Sequence, residues 1–446
     1  MKRIGLVGDN SVEYIRILIN IWNEGNSAVI IDWRIPLPSI IAMLKEASVQ
    51  KCYIDNHLFK QCEIVESGIE FIANGKSENT VELLPADIYI NFDKNYSGDE
   101  ALVLYSSGTT GKSKGISLSH YAINTNADLV QDYMQLTAND SMYIIKTLSH
   151  SSTVVCELLV ALKTNTKLLI SPTIISPRFI LENIQKYKIT IICVNPSLLY
   201  LLTCIPNAEK YFIDLQIVYT SGAILTLKAL KNALRAFPNV KILNVYGLTE
   251  AGPRVSAQRK NDINNGIVSV GKVINNVQVK VISENGDEAI TKEIGIVHVK
   301  TPCQYSKYIT GEKSKSPLYE NWLNTGDLGY FDEHGSLYIV GRHDNMIIIG
   351  AHNVYPEDIE KKLLETEKLE NCIIVSEENQ VYGFRMICFY VSQYDIEKEL
   401  FNYCTEYLAA YERPYRFIKI DALPTTKNGK VKRNINDYSA IIETQK

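Results

Sequence analysis

Residues 106–115, Ser-Ser-Gly-Thr-Thr-Gly-Lys-Ser-Lys-Gly, concentrate the groups that hold a polyphosphate. Glycines let backbone N–H groups approach an anion, hydroxyls donate hydrogen bonds to it, and lysines supply charge. The apolar run Ala101–Tyr105 before this loop reads as a buried strand, and the segment from Ile116 after it reads as a helix. The loop is a candidate ATP clamp. It is not a Walker A loop, which needs four residues between its first glycine and Gly-Lys-Ser. Here Gly108 and Gly111 are separated only by Thr109 and Thr110. The plain alternative is an ordinary Gly/Ser/Thr turn.

Five further segments carry reactive groups. Asn244-Val-Tyr-Gly-Leu-Thr-Glu places the ring of Tyr246, the hydroxyl of Thr249 and the carboxylate of Glu250 within five residues. Asn324-Thr-Gly-Asp-Leu-Gly sets Asp327 in a turn. Gly341-Arg-His-Asp contributes Arg342 and Asp344. Gly350-Ala-His-Asn-Val-Tyr-Pro follows, and Pro424-Thr-Thr-Lys-Asn-Gly-Lys ends on Lys430.

These groups need a scaffold, and the chain's periodicity supplies one. Lys2–Leu6, Ser27–Ile31, Lys51–Ile54, Lys167–Ile170, Ile189–Val194 and Leu215–Thr220 read as buried strands. Val12–Trp22, Leu37–Ala47, Arg178–Tyr187 and Thr226–Ala236 read as helices between them. That alternation predicts an α/β fold with parallel sheets. From Val268 short alternating strands with Asn-Gly and His-Gly turns predict an antiparallel, β-rich ending to a large domain, residues 1–342. A small mobile α+β domain, residues 343–446, is expected to follow. A chain of 446 residues agrees with more than one domain, since single cores rarely exceed about 250–300 residues.

A net charge of −4 offers no basic field for nucleic acid. No apolar stretch approaches the ~18 residues of a membrane span, and the first residues read as a strand rather than a leader. The nine cysteines include no CxxC pair. They are expected to be buried free thiols of a cytoplasmic protein, with no metal–thiolate site.

Taken in order, the six motifs resemble the adenylate-forming superfamily: acyl- and aryl-CoA synthetases, adenylation domains of non-ribosomal peptide synthesis, and beetle luciferase. The resemblance runs from about residue 1 to residue 434. It implies ATP-dependent activation of a small carboxylic acid as an acyl-adenylate with release of pyrophosphate. Transfer then goes to the thiol of CoA or of a carrier-protein phosphopantetheine, with rotation of the small domain between the half-reactions. Relatives carry several dozen residues before the segment matching Ile4–Trp33, so a trimmed or missing amino-terminal region is expected. Any carrier protein would act in trans.

By this resemblance Lys430 bridges the substrate carboxylate and the α-phosphate; its plain alternative is a solvated loop lysine. Ser106, Ser107, Gly108, Thr109, Thr110 and Lys114 hold the leaving phosphates. Thr249 contacts the α-phosphate and Glu250 holds Mg²⁺, a hard cation suited to carboxylate and phosphate oxygen. Tyr246 stacks on adenine opposite Gly222 and Ala223, unless it is merely a core aromatic. Asp327 accepts from the ribose hydroxyls with Arg342 alongside, unless the two form only a structural ion pair. Asp344 is the hinge, and residues 350–356 turn toward the site for thioester formation.

In the acid pocket, His150 stands at the mouth with Ser151 and Ser152. Ser152 occupies the place where amino-acid-activating relatives carry an aspartate for the α-ammonium. A buried ammonium without a counter-charge is disfavoured, so an α-amino acid is not expected. Arg254 points either to a second polar or anionic group on the substrate or outward to solvent. The implied substrate is an aryl or short acyl acid. The competing readings are a long-chain fatty acid ligase, a non-catalytic acyl- or nucleotide-binding paralogue, and a luciferase-like oxidative enzyme.

Overall fold

In the computed structural model, residues 63–66, 76–79, 89, 91–99, 107–113, 174, 261–262, 265–266, 310–317, 320, 350–351, 380–382, 409, 427–428 and 445–446 are not described; all others are. The fold is mixed α/β, with a large amino-terminal domain and a smaller carboxy-terminal one.

Two sheets dominate the amino-terminal part. The first has Arg3–Val7 at its centre, parallel to Ser27–Ile31 and Lys51–Ile54. Ser27–Ile31 is buried at every position, as a parallel strand covered on both faces must be. The second sheet runs parallel through Lys167–Ile170, Ser141–Ile144, Ile191–Val194, Ile217–Thr220 and Lys241–Gly247, then turns antiparallel into Arg254–Ala257. Helices pack on these sheets from capped starts. Ser11 accepts from the Tyr14 N–H, Asn195 from Leu198 and Thr226 from Ala229. The expected strands and helices agree with the observed ones to within about two residues.

One expectation fails. Lys114–Ser119 is a strand, antiparallel to Glu100–Ser106, and the helix begins only at His120. The reason is local. Ser119 caps the helix by accepting from the Ala122 N–H at 3.1 Å. Ser117 is buried in the strand and donates to Glu100 at 2.7 Å, within a cluster that includes Arg3 and Ser27.

A β-rich segment follows. Gln278–Ile282, Gly295–Lys300, Trp322–Phe331 and Leu337–Arg342 pair antiparallel in succession. Beyond Arg342 the residues build their own cores. One gathers Ile347, Ile359, Leu363, Ile374, Cys388 and Phe417. The other gathers Ile373, Phe389, Ile418 and Tyr438. Among the described residues no helix is long and apolar enough to cross a membrane. All nine cysteines are free. Eight are buried, whereas Cys204 is exposed, because the helix Pro196–Thr203 that precedes it ends at the surface.

Candidate active site

A single cleft of about 1630 Å³ is lined by Lys114, His150, Ser151, Ser152, Gly222, Ala223, Tyr246, Thr249, Glu250, Arg254, Asp327, Arg342, Asp344 and Lys430. These residues span more than 300 positions of sequence. Ser107, Gly108, Thr109 and Thr110 lie outside the described residues. So does the Ser106 side chain, although its backbone pairs with Lys114 across the strands.

The strand Lys241–Gly247 delivers Tyr246 to the carboxyl end of the parallel strands, where open α/β sheets place ligands. A one-turn 3₁₀ segment, Thr249–Ala251, then presents Thr249 and Glu250. Gly252 closes it at φ +91°, where a Cβ would lie 2.3 Å from the Cys303 carbonyl, so only glycine fits. The Tyr308 hydroxyl donates to Glu250 at 3.4 Å, and the Lys114 ammonium lies over the Tyr308 ring at 5.5 Å. Burial pushes the Glu250 carboxyl above its ordinary range.

Asp327 and Arg342 face each other across antiparallel strands, and this register makes their ion pair of 2.8 Å. Arg342 also donates to the Thr325 carbonyl and reaches Asp344 at 3.1 Å. The Tyr246 hydroxyl donates to the other Asp327 oxygen. The ion-pair alternative is thus present, and each Asp327 oxygen retains further lone-pair capacity. Asp344 sits in a short 3₁₀ turn, His343–Asn345, immediately after the strand Leu337–Arg342.

Lys430 is held in a turn by its backbone. Its N–H donates to Thr426 Oγ1 at 3.2 Å, and its carbonyl accepts from the Thr426 N–H at 2.7 Å. Ser197 of the large domain donates to the Gly429 carbonyl at 3.3 Å. The side chain is exposed to the cleft. Among the described residues its ammonium forms no ion pair.

Three features escaped the sequence reading. Asn10, just past the first strand, accepts from the Leu148 N–H and donates to the Lys146 carbonyl, which fixes the segment leading to His150. Lys146 itself is a half-buried lysine paired with Glu157 at 2.8 Å and 3.5 Å from Ser152 Oγ. Glu157 lies in a π-helical stretch, Val154–Leu159, of the helix that starts at Ser151. The signal was available: one lysine and one glutamate each interrupt an apolar run. Arg254 is buried, 4% exposed, which removes the solvent-facing alternative.

Burial, aided by the charges of Lys146 and Lys430, pushes the His150 imidazole down to about 4. It is therefore neutral at pH 7. Unfolded, it would titrate near the ordinary ~6.5. Its stabilising contribution is full above that value and is lost as the pH falls toward about 4. His150→Gln should flatten the decline of melting temperature between roughly pH 6.5 and 4. Parallel melting-temperature curves for the two proteins would contradict this.

The profile of the AMP-binding enzyme family matches residues 1–309, and that of its C-terminal domain matches residues 358–430. The chain belongs to the AMP-binding enzyme family. Its motifs mark this family as the adenylate-forming superfamily, and the chain is an AMP-forming acid–thiol ligase. It is 26% identical over 444 residues to the 2-succinylbenzoate–CoA ligase of Oceanobacillus iheyensis, covering 97% of this chain and 88% of that one. It is 28% identical over 356 residues to the 4-coumarate–CoA ligase of Pinus taeda, covering 76% and 65%. In fold it is similar to ATP-bound MatB from Rhodopseudomonas palustris, with a TM-score of 0.85, 22% identity and 99% and 88% coverage. It is also similar to the AMP complex of MenE from Bacillus subtilis, with a TM-score of 0.78, 21% identity and 97% and 87% coverage.

The described residues fit the group that this family's chemistry implies. Glu250 is a half-buried carboxylate that forms no ion pair among the described residues, in the same cleft as Tyr246 and Asp327. That suits Mg²⁺, which takes one or two carboxylates and completes its shell with phosphate oxygens and water.

Proposed function

We propose that this chain activates an aryl or short acyl carboxylic acid, not an α-amino acid, with ATP. The acyl group then passes to the thiol of CoA or of a carrier-protein phosphopantetheine. The observation that supports this best is the convergence of Lys430, Thr249, Glu250, Tyr246 and the Asp327–Arg342 pair on one cleft.

A carboxylate oxygen attacks the α-phosphorus of ATP, the bond from that phosphorus to the bridging oxygen breaks, and pyrophosphate leaves. Two anions must meet, so aimed positive charge lowers the barrier. Lys430 supplies it between carboxylate and α-phosphate, with Thr249 as a hydroxyl donor. Thr249 is pre-positioned by the 2.9 Å hydrogen bond it shares with Ser151. Lys114 and the loop from Ser106 to Thr110 hold the departing phosphates. Mg²⁺ on Glu250 would neutralise part of their charge. Tyr246, Gly222 and Ala223 flank the adenine, and Asp327 accepts from the ribose with Arg342 holding it in place. In the second step the thiol sulfur attacks the acyl carbon, AMP departs, and the thiol proton is released to solvent. Rotation of residues 343–446 about Asp344 relative to residues 1–342 brings residues 350–356 toward the thiol path.

Lys146 strengthens the exclusion of α-amino acids. It places a cation 3.5 Å from Ser152, where an incoming ammonium would meet like charge. It also makes the pocket a poor receptor for a long aliphatic chain, whose burial gains about 0.8 kcal/mol per CH₂ only against apolar walls. The free, mostly buried thiols support a cytoplasmic location.

The test is a pyrophosphate-exchange screen over aryl, short acyl, long aliphatic and α-amino acids. An aryl or short acyl acid should drive exchange, and no standard amino acid should. A proteinogenic amino acid as the best substrate would overturn this pocket reading.

A further inference from the structure

Part of the cleft lining carries an unbalanced charge. Lys146 and Arg254 both line the cleft, whereas Glu157 lies behind its wall at 1% exposure. Lys146 spends its charge on Glu157. Arg254 has no such partner. Asn126 grips its backbone from both sides, at 2.9 and 3.1 Å, but the Arg254 Nε is buried without a hydrogen-bond partner. Among the described residues no carboxylate forms an ion pair with its guanidinium. The other ionisable groups nearby are Tyr133, Cys156, Cys193 and Tyr219, all pushed upward by burial and so neutral at pH 7. Two cations therefore face one carboxylate in a place where an uncompensated charge is costly.

In the proposed reaction the reacting carboxylate lies beside Thr249 and Lys430, which line the same cleft. Ser151 contacts Thr249 at 2.9 Å, while its neighbour Ser152 contacts Lys146 at 3.5 Å. Two consecutive residues, with Cα atoms about 3.8 Å apart, thus link the adenylation chemistry to the cationic part of the lining. A molecule joining the two needs only a short or aryl spacer.

We propose that Lys146 and Arg254 form a binding site for a second carboxylate of the substrate, so that the enzyme selects compact dicarboxylic acids over their uncharged half-esters. This rests on the acyl-adenylate reading above.

Succinate, glutarate and benzene-1,2-dicarboxylate, each beside its monomethyl ester, are the probes, with pyrophosphate exchange and thermal shift of the full-length protein as readouts. At least one diacid should exceed its half-ester by about 10²-fold or more in kcat/KM, mainly through KM. Arg254→Leu should cut that ratio at least about tenfold. So should the double change Lys146→Met with Glu157→Gln, which removes both members of that ion pair, so that neither is left without the other. Half-esters or simple monoacids as good as the diacids in the wild-type enzyme would overturn the proposal, and so would a ratio unchanged in both variants. The wild-type comparison decides even if a variant fails to fold. If no acid of any kind supports exchange, the acyl-adenylate reading fails instead. The site then stands only if a diacid, and not its half-ester, raises the melting temperature of the wild type but not of Arg254→Leu; without that shift it falls too.

Discussion

Lys430→Ala should reduce acid adenylation by at least about 10²–10³, the usual loss when one aimed donor is removed from a site of developing charge. The fold should survive, because the turn around Lys430 is held by backbone groups and by Thr426, not by the ammonium. The ammonium itself lies in the cleft without an ion-pair partner among the described residues, free to meet an anion. Transfer from a synthetic acyl-adenylate to a thiol should fall far less, within about tenfold, since no new bond to phosphorus forms in that step. Pyrophosphate exchange reads the first half-reaction and single-turnover transfer the second. Equal loss of both would remove Lys430 from its assigned place.

The second large effect is expected at Asp344. Proline there fixes φ near −65° and should trap one orientation of the small domain. The orientation observed here puts Lys430 in the cleft. Contacts across the domains accompany it, including Lys228 to the Leu369 carbonyl at 2.6 Å and Ser197 to Gly429. Asp344→Pro should therefore keep adenylation within about tenfold while thioester formation drops by about 10² or more. Asp344→Ala is the control. It also removes the 3.1 Å contact to Arg342 but leaves the backbone free, and should retain both steps. Unchanged overall turnover in the proline variant would place the hinge elsewhere.

Much of this architecture was legible in the residues because it depends on local rules. Parallel strands buried on both faces must be continuous apolar runs, and Ser27–Ile31 is one. Groups that meet a nucleotide must leave the strands at turns, as Thr249 and Glu250 do after Lys241–Gly247. What stayed hidden depends on pairing at a distance. The strand Lys114–Ser119 is too short for its alternation to outweigh a helix reading, and its partner across the loop decides the matter. The Tyr246–Asp327 hydrogen bond joins two different sheets. Lys146 and Glu157 look like isolated charges in separate apolar runs until the fold brings them to 2.8 Å. The burial of Arg254 depends on Asn126, 128 positions earlier.

The central claim, that an acid and ATP react here to give an acyl-adenylate before any thiol takes part, is tested most directly by exchange of labelled pyrophosphate into ATP with no thiol acceptor present. The account predicts label in ATP only when a suitable carboxylic acid and Mg²⁺ are added, with acyl-adenylate recovered from the quenched enzyme. No exchange with any acid, or acid-dependent formation of ADP and phosphate in place of AMP and pyrophosphate, would contradict it.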